Sequence, residues 1–143
     1  MIVQFSVGNY LSFKELSILS LVTTNLKETA IPETDSMTEI GDAIPAVLHG
    51  AAIYGANASG KSNFAKAFST FKWLVINSMK EIQAGETLNV ESFMLNAATA
   101  KEPSAFEIVF CNTAYIFRYG FEVDSNKVHK EWLYRRNNKK RAK

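Results

Sequence analysis

One eight-residue stretch of the sequence contains the residue types best suited to chemistry. Gly55 and Gly60 enclose four residues and are followed directly by Lys61 and Ser62, which is the spacing of a phosphate-binding loop. Glycine lets the backbone turn its N–H groups inward and approach phosphate oxygens closely. The Lys61 ammonium would reach the β- and γ-phosphates, and the Ser62 hydroxyl would ligate the Mg²⁺ that bridges them. The spacing therefore predicts a site for a nucleoside triphosphate with magnesium.

The other residues of this loop complete the predicted site. A helix that begins at its end would add the partial positive charge of a helix N-terminus. Such a loop contacts phosphates and not the base, so the choice between ATP and GTP stays open at this point. Ser62 is the predicted magnesium ligand, and the predicted phosphate-binding set is Gly55, Asn57, Ala58, Ser59, Gly60, Lys61, Ser62 and Asn63.

The flanking sequence has the order that such a loop requires, which is strand, loop and helix. Residues 51–54 form a short apolar run before Gly55, as a buried strand would. After Ser62, apolar residues recur at steps of three and four, which predicts a helix with one core-facing surface over about five turns. Gly85 ends the pattern, and the predicted surface comprises Phe64, Phe68, Phe71, Val75, Met79 and Ile82.

Strands dominate the rest of the predicted α/β domain. Alternating polarity at residues 2–7 and 16–22 predicts an opening hairpin, and turn residues between the later apolar runs predict an antiparallel meander. The later predicted strands are 88–95, 106–111, 115–123 and 128–134. The predicted segments are a hairpin at 1–23, a polar surface loop at 24–45, the strand, phosphate loop and helix at 51–84, a β-rich lobe at 86–135 and a basic tail at 136–143.

Composition and charge are those of an ordinary globular domain. Hydrophobic residues make up 47% of the 143-residue chain and the net charge is only +2. This composition argues against a polybasic nucleic-acid binder as the interpretation of the whole chain.

No apolar run has the length of a membrane span and the N-terminus lacks a basic signal region, so we expect a cytoplasmic protein without a membrane partner. Cys111 lies in an apolar run and is predicted to be a buried thiol. His49 and His129 have no partner at metal-ligand spacing.

The succession of strands after the helix differs from a doubly wound fold, in which strands and helices alternate. The order resembles the nucleotide-binding head of ABC-type ATPases, in the branch with the SMC, RecF and overcoming-lysogenization-defect proteins. The likeness is carried by residues 9–13, 52–63 and 128–134. The combination of Asn57, Ala58, Ser59 and Asn63 looks like the AAA-family ATP-binding proteins found with bacterial abortive-infection and anti-phage systems.

The resemblance implies the P-loop NTPase fold with ATP and Mg²⁺ as cofactors, and a homodimer of heads around the nucleotide. It also implies coupling to DNA, to a partner nuclease or to another effector. Asn57 would lie near the terminal phosphates. Ala58 stands where SMC-type loops commonly have Gly, and Leu11 where relatives often carry Arg or Lys, with Lys14 as a weak substitute.

Hydrolysis in such a head needs an apolar strand that ends in Asp-Glu, where Asp supports Mg²⁺ and Glu polarises the attacking water. Residues 1–143 contain no such strand and no Leu-Ser-Gly-Gly signature. The segment most similar to such a strand ends at Asp124, but the alternating polarity of its residues is typical of a half-buried hairpin strand. We therefore identify no catalytic residue and expect this chain to be the incomplete, amino-terminal part of a longer ATPase.

Three other interpretations stay open from the sequence. The chain could be a non-catalytic module that dimerises around nucleotide, or a small self-contained kinase or GTPase, which the strand order argues against. The cations after the last strand could contact nucleic acid, although a solvated tail is the more common role of such an end. Trp132 and Tyr134 are expected to be core or rim residues of the last strand rather than platforms for base stacking.

Overall fold

The computed structural model describes residues 1–23, 37–41, 44, 46–77 and 87–138. Within these residues the chain forms seven strands, one α-helix and one short 3₁₀ turn. The elements are β1 (Ile2–Gly8), β2 (Ser17–Ser20), β3 (Met37–Glu39), β4 (Ala46–Leu48), α1 (Lys61–Asn77), the 3₁₀ turn Thr99–Lys101, β5 (Ser104–Cys111), β6 (Tyr115–Val123) and β7 (Val128–Asn137).

Five of the strands form one antiparallel sheet in the order β2-β1-β5-β6-β7. The predicted opening hairpin and the meander of the last three strands are confirmed. Local turn chemistry explains the meander: Asn112 Oδ1 accepts the Tyr115 N–H at 2.7 Å, and Asp124 Oδ1 accepts the Asn126 N–H at 2.7 Å. Side chains that bond the backbone two or three residues later favour tight reversals between strands.

The helix α1 packs its aromatic face on the centre of the sheet. Phe5 of β1 makes edge-to-face contacts with Phe64, Phe68 and Phe71, at ring-centroid distances of 5.6, 5.1 and 5.6 Å. Aromatic pairs in this geometry stabilise a core beyond the area that they bury. The predicted core-facing helix surface is thus confirmed over its first three aromatic residues.

The predicted helix surface is wrong at Val75, which is 36% exposed, whereas Leu74 is buried. Near the C-terminal end of α1, the side of the helix that carries Leu74 faces the core. Leu74 belongs to the same cluster of buried residues as Leu88 and Val90. The other predicted members, Met79 and Ile82, lie outside the described residues, as does Gly85.

Two predicted strands are absent. Residues 51–54 form no strand, and Tyr54 is 88% exposed; an apolar run becomes a strand only beside another strand, and none lies next to it in the described part of the chain. Residues 88–95 are also not a strand. Leu88 and Val90 are buried, so the predicted alternation of buried and exposed side chains is present. The backbone hydrogen bonds, however, go to two different parts of the fold: the Leu88 N–H donates to the Ser125 carbonyl, and the Glu91 carbonyl accepts from the Leu11 N–H.

The polar segment predicted as a loop at 24–45 is only partly described. Residues 24–36 lie outside the described ranges, and residues 37–39 form β3, which pairs with β4, so the loop prediction is wrong there. The two strands cover a second core cluster that contains Val3, Val47, Cys111 and Ile116. Cys111 is buried as predicted, and burial raises the pKa of its thiol.

The last strand extends further than predicted. β7 continues through Arg136 and Asn137, and the next residue, Asn138, is only 1% exposed, so the predicted tail does not begin at residue 136. The Asn138 amide donates to the Ile40 carbonyl at 3.1 Å, which ties the end of β7 to the segment after β3. Residues 139–143 lie outside the described part. Among the described helices, none is long and apolar enough to cross a membrane.

Candidate functional site

The predicted phosphate loop is a compact turn that ends where α1 begins. Within it the Ser59 N–H donates to the Ala56 carbonyl at 3.3 Å. Ala58 and Gly60 both have left-handed backbone conformations, with φ values of 62° and 91°. Glycine adopts this region without strain, whereas a residue with a Cβ is disfavoured there by about 1–2 kcal/mol. The backbone at position 58 would therefore suit glycine better than the alanine that is present.

The start of α1 leaves a cluster of backbone donors without partners. The first helical hydrogen bond runs from the Phe64 N–H to the Gly60 carbonyl at 3.0 Å. The N–H groups of Gly60, Lys61, Ser62 and Asn63 donate to no acceptor in the described part of the chain. Four free amides at the positive end of a helix are the donors that bind phosphate oxygens in many proteins. Residues 58–63 line one open cavity of about 260 Å³ beside these amides.

The Lys61 ammonium lies inside the loop. Its Nζ donates to the Gly55 carbonyl at 2.8 Å, to the Ala56 carbonyl at 2.5 Å and to Ser59 Oγ at 3.3 Å. An ammonium group has three donors, so these contacts use its full capacity. All three acceptors are neutral oxygens, and the lysine positive charge has no carboxylate partner in the described residues.

The two glycines of the motif serve different purposes. A Cβ added to Gly55 would lie 2.7 Å from Ser59 Oγ, which is closer than real contacts allow. A Cβ added to Gly60 would lie 3.0 Å from Ser12 Oγ, and the positive φ of Gly60 adds strain. Gly55 thus permits the loop to close on itself, and Gly60 permits both the sharp turn and the approach of the N-terminal segment.

Residues 9–14, the turn between β1 and β2, lie against the loop. Asn63 Nδ2 donates to Ser12 Oγ at 3.0 Å, and the rings of Phe13 and Phe64 meet edge to face at 5.9 Å. A cavity of about 240 Å³ between β2 and the loop is lined in part by Phe13, Ile18 and Tyr54. The contact of Ser12 with the loop was not predicted as a site interaction, because the two residues are 51 positions apart.

Asn9 is the anchor of this turn. Its Nδ2 donates to the carbonyls of Thr99 and Glu102, both at 2.8 Å, and its Oδ1 accepts the Phe93 N–H at 3.2 Å. The Ser104 hydroxyl donates to the Asn9 carbonyl at 2.5 Å. With a φ of 48°, Asn9 takes a left-handed conformation that Asn tolerates better than most residues. Its role was not predicted, since each partner lies more than 80 positions away.

The structure brings most of the predicted site residues together. Residues 58–63 surround one cavity, and Gly55 lies behind it in contact with Lys61. Asn57 is exposed on the outer turn and does not line that cavity. Leu11 packs against the core, and the Lys14 ammonium lies 3.7 Å from Glu15, so neither supplies a cation to the loop.

Asp124, which ends the segment most similar to a catalytic Asp-Glu strand, stabilises a turn. Its hydrogen bond from His129, at 2.7 Å, and the N–H donors of Asn126 and Lys127 lower the pKa of Asp124 to about 2. A carboxylate so satisfied is a poor proton acceptor. Among the described residues, no group of three or more His, Cys, Asp or Glu side chains is arranged to hold a metal ion.

Comparison with known proteins gives one match. A protein family described as "AAA domain, putative AbiEii toxin, Type IV TA system" matches the chain over residues 51–143. The matched part begins just before the loop and includes α1 and the strands of the meander, while the N-terminal hairpin lies outside it. No curated protein and no solved structure matches the chain.

Proposed function

The chain belongs to this AAA domain family, a family of P-loop ATPases, and from that premise we propose that it binds Mg²⁺-ATP with residues 55–63. The observation that carries the proposal is the set of four free amides, Gly60 to Asn63, at the start of α1. These donors lie beside Lys61, whose ammonium group contacts neutral oxygens in the described part of the chain. Both features suit a polyanionic ligand.

Each residue of the loop has a proposed role. The free amides bind the β-phosphate, and Lys61 neutralises charge on the β- and γ-phosphates. Ser62 is exposed at the first turn of the helix and its hydroxyl is the proposed Mg²⁺ ligand. An Mg²⁺ ion held by this hydroxyl would offset the negative charge of the phosphates. Asn57 is proposed to lie near the terminal phosphate, by likeness to related heads.

Binding requires the Lys61 ammonium to exchange partners. It gives up hydrogen bonds to neutral loop oxygens, which are charge-assisted but bring no opposite charge to the ammonium group. Phosphate oxygens accept the same hydrogen bonds and also supply the opposite charge. The exchange therefore favours the phosphate-bound state, and the contacts of Lys61 within the loop do not prevent binding.

The chemistry around the loop favours binding over hydrolysis by the residues described. Among the described residues that line the cavities of about 240 and 260 Å³ beside the loop, none is an aspartate or a glutamate, so these residues provide no carboxylate to activate a water molecule. We propose that the chain acts as part of an ABC-type ATPase head that dimerises around nucleotide and couples it to DNA or a defence effector. The second candidate, favoured by the same absence, is a module that associates around ATP without turnover.

The test is calorimetric titration of the chain with ATP and Mg²⁺, with GTP as competitor. Lys61→Ala is compared with Lys66→Ala, which removes an exposed lysine from the next turn of the same helix. We expect Lys61→Ala to weaken binding about 100-fold, because charged hydrogen bonds contribute about 1.5–3 kcal/mol each. Lys66→Ala should bind like the wild type. Equal affinities of the two variants, or no binding by a folded wild-type chain, would contradict the proposal.

The two candidate functions are separated by two further measurements on the same samples. Phosphate release over hours reports hydrolysis, and sedimentation with and without Mg²⁺-ATP reports association. ATP-dependent dimers with no phosphate release favour the non-catalytic module. Phosphate release that disappears in Lys61→Ala favours the ATPase.

A further inference from the structure

The two edges of the five-stranded sheet differ strongly. The edge strand β2 has four residues, whereas β7 at the opposite edge has ten, nine of them exposed. Leu133 and Tyr134 are 64% and 61% exposed, and as successive residues they lie on opposite faces of the sheet. No strand pairs with the outer side of β7 in the described part of the chain. A long exposed edge of this kind offers a row of backbone donors and acceptors to another strand.

We propose that β7 pairs antiparallel with β7 of a second copy of this chain. The pairing joins two five-stranded sheets edge to edge about a two-fold axis. It satisfies the outer backbone groups of both strands and places exposed side chains of the two copies beside each other on both faces. This association needs no nucleotide and does not depend on the proposed ATP site.

Charge complementarity selects the register of the pairing. With the two-fold axis at Leu133, each Glu131 lies opposite Arg135 of the second copy, and the two Leu133 side chains meet between these ion pairs. On the other face, Trp132 lies opposite Tyr134 of the second copy. Opposite-charge and aromatic pairs across strands stabilise the pairing of the strands, and the symmetry produces every such pair twice.

Neighbouring registers lose this complementarity. An axis at Trp132 places Glu131 opposite Leu133 and His129 opposite Arg135. An axis at Tyr134 places Leu133 opposite Arg135, and a charge again faces an apolar side chain. The Leu133 register also places Lys130 opposite Arg136, an unfavourable pair that likewise occurs twice, but each Lys130 already forms an ion pair with Glu122 at 2.9 Å, which offsets its charge.

The two charged side chains are already oriented on the correct face of the strand. The Tyr119 hydroxyl donates to Glu131 Oε1 at 2.7 Å and leaves Oε2 available. The Arg135 guanidinium lies over the Tyr115 ring, 4.8 Å from its centroid. Both contacts are made with β6 and place the two charged groups on the face of the sheet that carries Leu133. One strand pair is smaller than a standard interface of about 1,600 Å², so we expect a micromolar dimer.

The test is sedimentation velocity of the nucleotide-free chain with EDTA, over about 5–200 μM protein. We expect the wild type to dimerise, and Glu131→Arg and Arg135→Glu each to weaken the dimer about tenfold or more, because two ion pairs become two like-charge pairs. The double variant restores both pairs in reversed order and should return to within about threefold of the wild type. Lys72→Glu, an equal charge change on the exposed side of α1, is the control and should leave dimerisation unchanged.

A cysteine at the proposed axis tests the register directly. In the Leu133→Cys variant the two new thiols face each other across the axis and should form an intermolecular disulfide under mild oxidation, faster than in Lys72→Cys. The native Cys111 is buried and should not interfere. A chain that stays monomeric, a dimer indifferent to the single charge reversals, a double variant that does not recover, or equal cross-linking rates would each overturn the proposal.

Discussion

Different contacts hold the two regions of the molecule: buried aromatic rings hold the sheet and its helix together, and a few hydrogen bonds hold the candidate phosphate loop. Phe5 in the sheet is 2% exposed and contacts three aromatic rings of α1. Residues 51–59, which lead into and form the loop, are all exposed, and one ammonium group makes most of the contacts within the loop. The stability of the fold therefore depends on buried rings, whereas the proposed ATP site lies in an exposed segment with few contacts of its own.

This difference separates two kinds of substitution. Buried aromatic groups contribute several kcal/mol because their removal leaves a cavity. Exposed hydrogen bonds contribute little to folding, since water replaces them. Changes in the sheet should therefore alter the free energy of unfolding, and changes in the loop should alter nucleotide binding in a chain that stays folded.

The largest expected effect is that of Phe5→Ala. The substitution removes three edge-to-face contacts and leaves a cavity between β1 and α1, so we expect a loss of about 3–5 kcal/mol in the free energy of unfolding. Urea denaturation measures this change. The matched variant Tyr54→Ala, at a residue that is 88% exposed beside the loop, should cost less than about 0.5 kcal/mol. Similar losses in both variants would show that the two regions are not separate in stability.

A smaller effect is expected for Gly60→Ala, at the boundary of the two regions. A Cβ there meets Ser12 Oγ at 3.0 Å, and the backbone φ of 91° is unfavourable for alanine. We expect a stability loss of about 1–2 kcal/mol and about tenfold weaker ATP binding, because the amides at the helix start must shift.

The control for that variant is Gly50→Ala. A Cβ at Gly50 has no heavy atom within 4 Å, so both its stability and its ATP affinity should stay close to the wild type. Calorimetric titration and urea denaturation measure the two quantities on each variant. If Gly60→Ala lowered the free energy of unfolding by several kcal/mol, the loop would contribute to stability as much as the buried core does. That result would contradict the proposed difference between the two regions.

The smallest effect is expected at the exposed turn between β6 and β7. The pKa of Asp124 is lowered from 3.8 to about 2, chiefly by the His129 hydrogen bond. A carboxyl whose pKa is lower in the folded state stabilises the fold above its unfolded pKa, and this contribution is lost as the pH falls through about 2. Both side chains are about one-third exposed, so the contribution is below about 1 kcal/mol.

Asp124→Asn tests this contribution because the amide oxygen can still accept the turn N–H groups. Urea denaturation between pH 7 and pH 2 should show the wild type slightly more stable than Asp124→Asn above pH 4, and the difference should shrink toward pH 2. Ser125→Ala, in the same turn, should differ from the wild type by the same amount at every pH. A difference for Asp124→Asn that grew on acidification would contradict the assigned role.

The sequence by itself predicted the features that neighbouring residues determine. The spacing from Gly55 to Ser62 identifies the loop, and the amides that the structure leaves free are those at its predicted helix start. The turns at Asn112 and Asp124 bond their own backbone within three residues, so the hairpin-by-hairpin order of the meander could be predicted. Which ligand the loop binds stays a prediction, to be decided by titration.

Only the tertiary structure decided which segments pair. The apolar alternation at 88–95 correctly reports burial, but its backbone bonds go to scattered partners such as Leu11 and Ser125. Residues 51–54 have the composition of a strand but no neighbouring strand in the described part of the chain, and the hydrogen bonds of the Asn9 side chain reach partners more than 80 positions away. The periodicity of apolar residues indicates which side chains are buried, whereas the hydrogen bonds of a β-sheet require two strands to lie side by side. For that physical reason, the sequence alone could predict the buried faces and the loop, and the partners of each strand emerged only from the folded chain.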